Sequence, residues 1–242
     1  MKRLRLYLNK RATEIHGIEL YSPTIEQIDS IGELQYNIHL AFATFNKEMI
    51  LRTFLSLTDE EYDEVSKADP FEMLVQISWT KSAIAEALTF FLRNEVRYEE
   101  SSQSYKICSD DGTFLHINAQ NYQEIAKTIC LLNGIDNDMG SKKAPITKRA
   151  KQMKAELNKF RAQAKKNMDS SLELKDILSI LCNSPDNGIN IFNVANLTIY
   201  QVYEHFERLN INELHTRMLK VWANGYLAEG QQLPEKMIKS KL

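Results

Sequence analysis

A chain of 242 residues that is 43% hydrophobic and 26% charged holds enough apolar side chains to bury a sizeable core, which excludes the disordered and fibrous classes. Eight glycines and five prolines are few enough to favour helix, and the length suits two lobes. No run approaches about 18 uninterrupted apolar residues and no apolar stretch of signal-peptide length follows Met1, so the expected location is the cytoplasm, that of the host if a phage encodes the chain.

Leu4, Leu6 and Leu8 alternate with Arg3, Arg5 and Tyr7, the period of a half-buried strand or of a terminal arm that pairs with another chain. Ser22-Pro23-Thr24 then predicts a helix start, with Ser22 as cap, Pro23 at the first helical position and Ile25 and Ile28 opening the apolar face. Gly32 interrupts that face, and a second helix runs through Leu34, Ile38 and Phe42 toward Phe45. Thr58-Asp-Glu-Glu61 is a capping box, and Asp69-Pro70 starts one long apolar helix through Leu74, Ile77, Ile84, Leu88 and Phe91. After Asn94 the period changes: Tyr105, Ile107 and the run Phe114 to Ile117 flank Asp110-Asp111-Gly112, a hairpin turn, and Val96 to Glu100 can add a third strand. Asn118 caps a helix carrying Tyr122, Ile125, Ile129 and Leu132, which Gly134 stops.

A polar connector leads to residues 142–166, where ten Lys or Arg residues face one acid, Glu156. That segment carries +9, while the other 20 basic and 31 acidic residues give −11, so a net charge of −2 conceals two opposed parts. Within it Ile146, Ala150, Met153, Leu157, Phe160 and Ala164 recur at alternating steps of four and three, a narrow heptad stripe with cationic flanks. Downstream, Ser170-Ser-Leu-Glu173 forms a capping box before Leu174, Ile177, Leu178 and Leu181, and residues 183–188 break that helix. Thr198-Ile-Tyr-Gln201 is a further box, with Leu197 placed to pack on Val202. The helix it opens is expected to end near Asn210, and another, through Leu214, Met218, Val221 and Trp222, at Gly225.

The expected fold is therefore α+β and mainly α. A helical domain over residues 1–134 contains a small antiparallel hairpin or sheet near 95–118, residues 135–145 link, and residues 146–242 hold the basic helix and a C-terminal helical lobe.

Tests for chemistry fail one by one. Asp136-Asn-Asp138-Met-Gly140 lacks the third ligand and the closing acid of a calcium loop, since Thr147 stands at the twelfth position. Gly140-Ser-Lys inverts the order a phosphate-binding loop requires. His16, His39, His116, His205 and His215 show no metal-ligand spacing, and Cys108, Cys130 and Cys182 lack the pairing of zinc or redox sites and read as buried reduced thiols. The acid pairs Glu99-Glu100 and Asp110-Asp111 and the acids from Asp59 to Glu64 fit solvated turns and helix starts. No nucleophile elbow occurs. The expectation is a non-enzyme with no cofactor and no metal.

The basic helix has four readings: a solvated helix on its own protein, a seat for an acidic or helical protein, a nucleic-acid contact, or a membrane contact. Its lone aromatic, Phe160, sits on the apolar stripe, which argues against base stacking, and the narrow alanine-containing face argues against a membrane. The residues expected to bind a partner are Lys148, Arg149, Lys151, Met153, Lys154, Leu157, Phe160, Arg161 and Lys165.

Leu174-Lys-Asp-Ile-Leu-Ser-Ile-Leu, then Gly188-Ile, then Asn196-Leu-Thr-Ile-Tyr-Gln-Val-Tyr-Glu-His-Phe-Glu-Arg-Leu209 resembles proteins of tailed phages infecting Gram-positive bacteria, as does Ser22-Pro-Thr-Ile-Glu-Gln-Ile-Asp-Ser-Ile-Gly-Glu33 with Tyr36 following. The resemblance implies a protein of tail morphogenesis, similar to tail-assembly chaperones that hold the tape-measure protein. A heptad stripe with a charged rim suits a long helical partner. The alternative is a nucleic-acid-binding phage regulator or packaging accessory using residues 142–166. Homo-oligomerisation is compatible with either.

Overall fold

The computed structural model describes residues 12–65, 67–108, 114–135 and 172–226. The chain divides into two units, one formed by residues 1–136 and 195–242 and the other by 137–194. The fold is α+β and mainly helical, with one two-stranded and one three-stranded antiparallel sheet. The strand expected at Leu4 to Leu8, the turn at Asp110-Asp111-Gly112, the connector after Asp136 and the basic helix of 142–166 lie outside the described residues.

The first unit opens with a hairpin that the sequence reading passed over. Strands β1 (Thr13–Ile15) and β2 (Ile18–Leu20) pair with Ile15 opposite Ile18. The two residues between them, His16 at φ 52° and Gly17 at φ 77°, both take the positive angles that match a tight turn to strand twist.

Helix α1 (Ile25–Ile31) starts one residue later than expected. Thr24, not Ser22, is its cap, and Pro23 stays outside the helix. The Thr24 hydroxyl accepts from the Gln27 amide at 3.2 Å while the Gln27 side chain accepts from the Thr24 amide at 2.9 Å, so two orphan donors are satisfied reciprocally. Gly32, at φ 85°, ends α1 and begins α2 (Glu33–Ala43).

Helix α2 packs on α6 (Ser78–Leu92), burying Tyr36, His39 and Phe42 on one side and Ile84, Leu88 and Phe91 on the other. Between them come α3 (Lys47–Met49), continuous with a π-helical turn at Ile50–Phe54 that buries Ile50 and Leu51, then α4 (Asp59–Val65) and α5 (Pro70–Leu74). The Thr58–Glu61 capping box is present, with the Glu61 carboxylate accepting from the Thr58 amide at 2.8 Å. The single helix expected from Asp69 to Phe91 is instead two, α5 and α6, separated by residues 75–77. No glycine or proline marks the joint. The fully buried Thr80 hydroxyl donates to the carbonyls of Leu74 and Ile77, and this local alternative to the helical ladder accompanies the break.

Strands β3 (Val96–Glu99), β4 (Ser104–Cys108) and β5 (Phe114–Ile117) form the second sheet in that order, and α7 (Tyr122–Leu132) follows. Phe45, Phe71, Tyr105 and Tyr122 meet with ring centroids 5.1–6.3 Å apart, tilted or edge to face, so that strand, helix and turn share one aromatic cluster. Asp69 ties this cluster to a helix end: one carboxylate oxygen accepts from the Phe71 amide at 2.9 Å and the other from the Tyr122 hydroxyl at 2.6 Å. Burial, and then the bond to Asp69, push the Tyr122 hydroxyl up to about 12.

In the second unit the described chain holds α8 (Leu174–Asn183), which buries Ile177 and Leu181. Glu173 caps it in a box with Asp176, replacing the expected Ser170 box, whose first residues lie outside the described ones. The chain then turns through Asp186 and Gly188 at positive φ.

Helix α9 (Ile199–Ala223), in the first unit, is one 25-residue helix where two were expected. Asn210 carries no breaker geometry: the ladder runs through it, reinforced by Arg208–Glu204 at 3.2 Å and Arg217–Glu213 at 3.0 Å. Among the described residues no helix is long and apolar enough to cross a membrane.

Replacing Tyr122 by Phe should lower unfolding free energy by about 1 kcal/mol, and Asp69→Ala by more, because the latter also removes a cap; urea titration of both variants reads the difference. Burial holds the His39 imidazole below its ordinary value, with Glu86 opposing, so the unfolded chain protonates first as pH falls. Stability should therefore drop below about pH 6.5, and His39→Gln should shrink the fall in Tm between about pH 7.5 and 5.5.

Candidate partner-binding surface

Helix α9 begins beside α1 through a matched pair of motifs. Thr198-Ile-Tyr-Gln201 closes the same reciprocal box as Thr24-Ile-Glu-Gln27, with the Thr198 amide donating to Gln201 at 2.9 Å. The two threonines form an antiparallel bridge: the Ile25 amide donates to the Leu197 carbonyl and the Ile199 amide to the Pro23 carbonyl, each at 2.9 Å. Ser22, expected as a cap, instead accepts from the Tyr200 amide at 3.4 Å. Ile199, Tyr200 and Val202 are buried at this seat, and Glu204 is only 8% exposed with Arg208 on its carboxylate.

Above the seat, Tyr203, Phe206 and Glu207 of α9, Tyr36 and Leu40 of α2, and Ile135 line a mainly apolar groove of about 420 Å3. Its floor is tightly fitted. The Tyr36 hydroxyl donates to Asn133 Oδ1 at 2.8 Å, and Asn133 Nδ2 donates to the Ile129 carbonyl at 2.6 Å. Gly134 has φ 70°, and a Cβ there would stand 2.8 Å from the Tyr203 ring. Burial raises the hydroxyl pKa of both Tyr36 and Tyr203 above the ordinary value, so these walls stay neutral at working pH. The groove offers shape and apolar contact rather than acid–base chemistry.

Beyond Glu204 no residue of α9 is buried. At about 100° per residue, Leu214, Met218 and Val221 continue the side occupied by Tyr203, Glu207 and Asn210, and Trp222 borders them. Leu214 and Trp222 are each 56% exposed, and Leu219 and Val221 are exposed too. Large side chains grouped in this way mark an interaction surface more often than isolated exposed ones do.

The partner-binding residues expected on the basic helix, 148–165, lie outside the described residues. Among the described residues no group of three or more His, Cys, Asp or Glu side chains is placed to hold a metal ion. The sequence did single out Leu214, Met218, Val221 and Trp222 as an apolar face; it gave no sign of the groove, because Gly134 and Asn133 read only as a helix stop.

Residues 163–238, 76 of the 242, match the family model of the YomV second domain, a phage-associated domain. All of α8 and α9 falls inside the match. No curated protein and no solved structure gives a significant match.

Gly134→Ala should cost about 2 kcal/mol or more, from left-handed backbone and ring contact together. The cost should shrink in a Tyr203→Ala background, which a double-mutant cycle in urea measures.

Proposed function

We propose that this is a non-enzymatic protein of phage tail morphogenesis that holds a helical partner, of the kind a tape-measure protein presents, on the groove and exposed side of α9. The observation that carries the reading is the exposure of Leu214, Leu219, Val221 and Trp222 on a helix inside the segment that matches a phage-associated domain. An amphipathic partner helix buries such side chains by inserting its own residues at steps of three and four. The charged residues of α9 on other sides, among them Glu213 and Lys220, remain hydrated and keep the free protein soluble. The basic segment 142–166 supplies a second contact in this reading, with acidic side chains of the partner opposite it.

The same basic segment motivates the rival reading, a nucleic-acid-binding accessory, which predicts DNA retention at low salt that weakens when Lys148, Arg149 and Lys151 become Gln.

Co-purification with the tape-measure protein of the same phage separates the two. Leu214→Ser, Val221→Ser and Trp222→Ser together should reduce recovery at least about tenfold with the circular dichroism spectrum unchanged, because each buried anchor contributes on the order of 1 kcal/mol or more. Undiminished recovery by a folded triple variant removes α9 as the contact surface.

A further inference from the structure

The three-stranded sheet ends at β3, which has no strand on its outer side among the described residues. The Glu95 carbonyl accepts from the Cys108 amide at 3.0 Å, and the register pairs Arg97 with Lys106 and Glu99 with Ser104. Antiparallel alternation then turns the amide and carbonyl of Tyr98 away from β4. Val96 also points its amide outward, where the Thr89 hydroxyl accepts it at 3.1 Å. Outside this edge lies an open groove of about 550 Å3 between β3 and α6, lined by polar and charged side chains. Three carboxylates line it, Glu86, Glu95 and Glu100, against two bases, Lys81 and Arg97. Both bases are already engaged, Lys81 with Glu100 at 2.5 Å and Arg97 with Glu95 at 2.6 Å. An outward-facing backbone beside a groove with surplus negative charge suits an extended, basic segment.

The chain contains such a segment. Residues 3–8 alternate Arg3, Arg5 and Tyr7 with Leu4, Leu6 and Leu8, and Lys2 precedes them. We propose that residues 3–8 of a second copy add to β3 as a fourth strand, and that the exchange is reciprocal, giving a closed twofold dimer. The added strand's main chain bonds the amide and carbonyl of Tyr98. Its leucines lie on the side of Val96 and the Tyr98 ring, and Arg3 and Arg5 lie on the exposed face that carries Glu95. This interface is separate from α9, so it neither needs nor excludes the function proposed above.

Sedimentation velocity on the full chain tests it. The expected result is a concentration-dependent dimer whose Kd rises about tenfold or more in Arg3→Glu/Arg5→Glu and recovers in part when Glu95→Lys is added, since like charges replace and then restore opposite ones. Tyr98→Pro removes the outward amide without touching a ladder bond to β4 and should dissociate the dimer, whereas Tyr98→Phe should not. If Tyr98→Pro proves unfolded, the charge variants decide alone. A synthetic peptide of residues 1–10 should compete, lowering the dimer fraction. A chain that stays monomeric up to about 100 μM overturns the proposal, as does a dimer indifferent to the arginine reversals.

Discussion

Two threonines bridged across a four-residue motif used twice hold this molecule together at its most telling point. Thr24-Ile-Glu-Gln27 and Thr198-Ile-Tyr-Gln201 each close a capping box, and the flanking carbonyls of Pro23 and Leu197 exchange amides with the opposite helix start. Four of the donors that begin α1 and α9 are thereby satisfied with almost no solvent, Thr198 being 1% exposed. Everything that α9 offers to a partner depends on this seat, because the helix buries nothing after Glu204. It also joins residues 174 positions apart, so the contact forms only once most of the chain has been made.

Around that seat the fold distributes polarity unevenly. Aromatic rings from Phe45, Phe71, Tyr105 and Tyr122 supply a dense centre, and Asp69 turns a helix cap into a hydrogen-bond acceptor for that centre. The Tyr105 hydroxyl, by contrast, has no partner, a local cost the close ring packing on Phe45, Phe71 and Tyr98 must offset. Function then falls to the periphery: an apolar helix side at one place and an unfilled strand edge at another.

Much of the local structure was legible in the residues. Capping boxes at Thr58 and Thr198, the stop at Gly134 and the strands around Tyr105 follow from side-chain chemistry acting within a few positions. Misreadings occurred where distant packing decides. Nothing near Val75 signals a break, because the buried hydroxyl that accompanies it belongs to Thr80; Asn210 looks like a stop, yet the helix continues through it. Ser22 and Thr24 are both competent caps, and the bridge to Thr198 marks Thr24 as the one used. His16-Gly17 carried a hairpin signal in its glycine that short flanking strands obscured. Of the surface, the apolar side of α9 was visible as spacing, whereas its groove required α2 and α7 to arrive from elsewhere in the chain.

The length of α9 has a mechanical side. Twenty-five residues span about 37 Å, and only the first two turns are clamped, so the helix is a cantilever. A tilt of about ten degrees at its root swings the far tip by roughly 6 Å, enough to search for a moving target while the anchor stays fixed. Capture near Trp222 would in turn exert leverage on the twin threonines at the root, making that small bridge the fulcrum through which load on the tip reaches the rest of the fold.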